Sequence, residues 1–202
     1  MRINRVWLKA GLVLPMASLA TPAAGQFTNS DGETFLKAVE EGDNNAAIPL
    51  LEQPGSRLAN YKGYKGETAL HIATRKRELD WIAYLIKKGA NPNLEDRDGD
   101  TALMIASRIG LEEAVDWMVG LNANVDATNR RGETALIIAV QQRRPRIVQR
   151  LLEAGANPDK TDHSAGYSAR DYAKRDSRNP QLLKLIESVK STKKQVAGPK
   201  LN

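Results

Sequence analysis

GETALHIA at 66–73 returns as GDTALMIA at 99–106 and as GETALIIA at 132–139, so one pattern recurs every 33 residues. A degraded copy, GYSARDYA, follows at 166–173. A fixed period of this length means stacked supersecondary units that bury their apolar faces on one another, rather than one core closed around a pocket. Such stacks present an extended surface, which points to binding of another macromolecule.

Each copy reads in the same way. Thr68, Thr101 and Thr134 stand two residues after the glycine, ahead of a short helix: ALHIATR, ALMIASR, ALIIAVQ. The apolar residues Leu70, Ile72 and Ala73 follow helical spacing. The small residues Ala73, Ala106 and Ala139 recur where neighbouring helices must come close. A tight turn leads to a second helix: LDWIAYLIKK, EEAVDWMVG, RIVQRLLEA. Pro145 opens the last of these, where its missing N–H does no harm. Gly89, Asn122 and Gly155 end the second helices, and these residue types accept the left-handed C-cap conformation.

The units resemble ankyrin repeats. The family pattern, roughly D-x-x-G-x-T-P-L-H-x-A followed by L-L-x-x-G-A-D/N, is met by GETALHIA and by LIKKGAN at 85–91. The resemblance implies an all-α solenoid of stacked helix-turn-helix units, with three central repeats between degenerate N- and C-terminal capping repeats. The expected repeat domain covers 31–189, divided at 31–62, 63–95, 96–128, 129–162 and 163–189. Ala69, Ala102 and Ala135 replace the family proline, and only His71 keeps the family histidine, with Met104, Ile137 and Asp171 in its place elsewhere. Arg77 and Arg143 occupy a turn position that is usually glycine, where Gly110 survives. Asp96 matches the family aspartate that ties off the turn.

Residues 1–25 read as a secretory signal peptide. Arg2, Arg5 and Lys9 precede an apolar run from Ala10 to Ala20, and small residues follow to Gly25. The expected products are a short segment at 26–30, the repeat domain and a disordered basic tail at 190–202. The pattern implies a periplasmic or secreted protein with no membrane span once the leader is removed; separately, the chain is expected to be a monomer. Of the six net positive charges, the three in the leader are targeting, which leaves +3. That weakens a nucleic-acid reading of the basic pI. There is no cysteine, so packing alone must stabilise an exported chain.

No catalytic, metal or cofactor constellation stands out. His71 and His163 are isolated, and His71 is expected to bond Thr68. LEDRDGD at 94–100 lacks the spacing of a calcium loop. Gly63 and Gly66 follow no strand and form no phosphate loop. Trp81 reads as core packing.

The resemblance places variable positions at the loop tips and first-helix ends, along a concave face that binds another protein. They are Tyr64, Lys65, Glu67, Arg75 and Lys76; then Arg97, Asp98, Asp100, Arg108 and Ile109; then Arg130, Arg131, Glu133, Gln141 and Gln142. The inter-helix turns are also basic in several copies: Arg75–Arg77, Arg108, Arg143 and Arg144 with Arg146, and Lys174 and Arg175 with Arg178. The first turn, Glu41-Gly42-Asp43, is acidic. Stacking should align these turns into a polarised ridge that docks an acidic protein surface, or alternatively nucleic acid or another polyanion.

Overall fold

The computed structural model describes residues 28–195, with side chains to Ser188. The leader at 1–25, with Gln26 and Phe27, lies outside the described residues, as does 196–202.

Among the described residues the helices form five pairs. They are α1 (Asn29–Glu41) with α2 (Asn44–Glu52), α3 (Ala69–Lys76) with α4 (Leu79–Lys87), α5 (Ala102–Ile109) with α6 (Glu112–Gly120), α7 (Ala135–Gln141) with α8 (Pro145–Glu153), and α9 (Ala169–Arg175) with α10 (Pro180–Gln195). First helices pack serially, α1 to α9, and the second helices α4, α6, α8 and α10 do the same behind them. The fold is an all-α repeat solenoid.

The recurring motif explains each pair. Its threonine is the N-cap: Thr101 accepts from the Met104 N–H and Thr134 from the Ile137 N–H, satisfying donors that the helix leaves free. The alanines Ala73, Ala106 and Ala139 are fully buried where first helices meet. Gly89, Asn122 and Gly155 adopt φ 82°, 57° and 95°, the expected left-handed C-caps. Arg77 and Arg143 take φ 63° and 53° at the turn where Gly110 takes 74°, so the glycine geometry persists without glycine.

Two boundaries are corrected. Thr28 and Asp31 form a capping box, so α1 starts at Asn29 inside the expected 26–30 segment. At the other end α10 continues to Gln195, past the 189 boundary and into the expected disordered tail. The stretch 190–195 lacks apolar periodicity, but it holds no glycine or proline to stop a helix already anchored by the buried Leu182 and Ile186.

Candidate functional site

The candidate surface begins at the loop tips, which the sequence folds by a repeated local device. In the last three of the four turns one side-chain oxygen bridges the loop. Asp96 Oδ1 accepts from the N–H groups of Asp98 and Asp100, and Asn129 Oδ1 from those of Arg131 and Glu133. Asp162 Oδ1 gathers those of Ser164, Ala165 and Gly166. The role expected of Asp96 is therefore filled.

Successive tips are then laced together by their backbones. The N–H of Arg97 donates to the Lys65 carbonyl at 3.2 Å, that of Arg130 to Asp98 at 3.0 Å, and that of His163 to Arg131 at 2.8 Å. The motif glycine permits this approach. A Cβ on Gly66 would lie 2.8 Å from Arg97 N, and one on Gly99 3.0 Å from Arg130 N. The outcome is a row of first-tip residues, Tyr64, Arg97, Arg130 and His163, all exposed and one repeat apart. Lys65, Asp98 and Arg131 are exposed beside them.

A second ladder fixes the connectors at the other end of each unit. Asn60 Oδ1 accepts from Asn91 N, Asn93 Oδ1 from Asn124 N, and Asp126 Oδ1 from Asn157 N. These polar positions at 33-residue spacing are structural, and their recurrence in the sequence was the available signal.

The inter-helix ridge looks different from its sequence. Most of its cations are spent inside the protein. Arg75 Nη1 sits 2.7 Å from Glu67, Lys76 Nζ 2.7 Å from Glu78, and Arg108 binds Asp100 through two bonds of 2.7 and 3.1 Å. Arg77 Nη1 donates to the Ile109 carbonyl at 2.7 Å, and Arg143 clasps the Asp176 carboxylate at 2.7 and 3.1 Å. Arg146 lies 3.3 Å from Glu112. Where both partners are exposed, as in Arg146–Glu112, such a pair contributes little stability, but every one of these ion pairs cancels charge. Arg144 forms no ion pair among the described residues; its guanidinium lies over Gly110. Gln141 and Gln142 are exposed at the end of α7.

Asp100 leaves the expected surface set. It is 7% exposed, and its carboxylate also accepts from Asn129 Nδ2 at 2.8 Å. Burial alone would raise its pKa, but the bonds from Arg108 and Asn129 outweigh burial and hold it below the usual carboxylate range. Glu67 is 8% exposed, so it too braces the loop rather than facing a partner.

His71 is a bolt between repeats. Its Nδ1 accepts from the Thr68 N–H at 3.1 Å, which leaves Nε2–H to donate to the Asp100 carbonyl of the next repeat at 3.1 Å. Burial pushes its pKa down. Trp81 is buried, and its Nε1 donates to Asn44. Trp117 and Leu121 are partly exposed on α6 and its end. Among the described residues no helix is long and apolar enough to cross a membrane.

A family model described as "Ankyrin repeats (3 copies)" matches residues 84–162, and one described as "Ankyrin repeats (many copies)" matches residues 50–106. Together they span more than half of the chain. No curated protein matches it.

Proposed function

From the premise that the chain belongs to the ankyrin-repeat family, and so carries a protein–protein interaction module, we propose that it is a non-enzymatic binder of an acidic partner protein, acting in the cell envelope or outside the cell. There it serves as scaffold, inhibitor, immunity factor or protector. The leader-like residues at 1–25 support the location.

The observation that carries the binding reading is the tip row. Arg97 and Arg130 stand exposed, with no carboxylate partner among the described residues, on loops that backbone bonds lock one to the next. A pre-ordered surface has little conformational entropy left to lose on binding. Charge on such a row speeds encounter and sets register. The ridge supports less, because most of its cations already have carboxylate or carbonyl partners. That pairing also weighs against nucleic acid. So does the separation of two exposed aromatics, Tyr64 on a tip and Trp117 on a second helix, which build no stacking platform.

Affinity capture with the chain from Gln26 onward tests the reading. It should recover an acidic protein whose retention falls with salt and survives nuclease treatment. Retention that disappears with nuclease, or no specific retention at all, would remove it.

A further inference from the structure

We propose that the tip row selects an acidic segment in the polyproline II conformation, with a carboxylate at every third residue. The inference rests on the tips being the partner-binding edge and gives that partner a geometry.

The spacing of the row follows from the packing beneath it. Each tip is carried on a first helix, and those helices meet through alanines that are fully buried. Packed helices sit about 8–10 Å apart, and small contact residues favour the short end. The backbone bonds from Arg97 to Lys65, from Arg130 to Asp98 and from His163 to Arg131 keep the tips at that step.

Regular backbones meet such a step differently. A β-strand advances about 10 Å in three residues, but its side chains alternate, so the third points to the opposite face. An α-helix covers about 9 Å in six residues, which is not a whole number of turns. A polyproline II segment completes one turn in three residues and about 9 Å, so every third side chain returns to the same face. It is the regular conformation that matches the row.

The charges pick out the side chain. Arg130 forms no ion pair among the described residues, and Arg97 gives one Nη2 bond of 2.7 Å to the Tyr64 carbonyl, leaving the remaining donors of its fork. Guanidinium forks take carboxylates through paired bonds. The second row offers a carboxylate less, since Lys65 lies 3.9 Å from Glu67. Arg131 is already 2.7 Å from Glu133, and Asp98 beside it is itself anionic. An acidic segment is thereby drawn to the first row, across Arg97 and Arg130.

The test uses two labelled peptides of about 12 residues, long enough to pass the four tips at about 9 Å each. Both hold the same numbers of Glu, Pro and Ala. One spreads its Glu at every third position along the whole peptide, and the other sets the same number at every second position within a central stretch. Fluorescence anisotropy at low salt should show the first bound about tenfold more tightly by the wild-type chain, a difference of about 1.4 kcal/mol. The preference should vanish in Arg97→Ala/Arg130→Ala while its circular dichroism stays that of wild type. A preference that persists in that folded variant overturns the proposal. Equal binding of both peptides, lost for both in Arg130→Glu/Arg131→Glu, overturns the spacing and leaves the acidic-partner reading standing. Binding of neither peptide, or stronger binding of a single-stranded thymidine oligonucleotide than of both, overturns the two together.

Discussion

The backbone N–H of Arg130 donates to the carbonyl of Asp98 across 3.0 Å, joining the tip of one repeat to the tip of the next. The bond exists because Gly99, next to Asp98, has no Cβ: one placed there would lie 3.0 Å from Arg130 N. The glycine that opens each motif copy therefore shapes the proposed binding surface as well as the fold. It lets neighbouring tips close and fixes the spacing between the side chains they present.

Gly99→Ala tests this directly against Gly89→Ala. Both glycines have positive φ, 77° and 82°, so both variants meet left-handed strain of about 1 kcal/mol. A Cβ on Gly89 meets nothing within 4 Å, whereas on Gly99 it meets backbone. Urea unfolding should show Gly99→Ala as the costlier by about 1–2 kcal/mol. Equal losses would mean that the tips do not pack as described.

Arg143 balances two effects. Its φ of 53° is strained for a residue with a Cβ, and glycine would relieve about 1 kcal/mol. Its two bonds to Asp176 are solvent-screened and offset part of that strain. Arg143→Gly should therefore leave the stability of the chain within about 1 kcal/mol of wild type. A loss well above that in a thermal melt would show that the Arg143–Asp176 clasp anchors the last repeat.

The fold was legible in the sequence because its determinants are local or recur at one period. Thr101 and Thr134 cap helices, Pro145 opens α8, and Asn122 takes the left-handed turn, as their residue types imply. The site was legible in part. Tyr64, Arg97, Arg130 and Arg131 are exposed tip residues as expected, yet the ridge read as positive from its arginines alone. Arg108 meets Asp100 eight residues away and Arg143 meets Asp176 one repeat away. Neither separation marks a contact until the loops fold back and the repeats stack. For the same reason Asp100 passed for a surface residue, although Arg108 and Asn129 enclose it.

His71 makes acid sensitivity testable. It is buried, bonded as the neutral ring, and its pKa in the folded chain is pushed below 6.5. In the pH range just below 6.5 the unfolded chain then binds a proton that the folded chain does not, so stability falls as pH drops through that range. The thermal midpoint should decline between pH 7.5 and pH 5.5, and His71→Gln should flatten that part of the decline. An unchanged slope in the variant would mean that other groups set the dependence.

The central claim is that a partner is held by the tips rather than by the inter-helix ridge. The most direct measurement is the affinity of a captured partner for the wild type, for the tip variant Arg130→Glu/Arg131→Glu and for the ridge variant Arg144→Glu/Arg178→Glu, at one salt concentration. The expected result is a loss of about tenfold or more for the tip variant, with the ridge variant within about threefold of wild type. A large loss on the ridge with the tips unaffected would contradict the account.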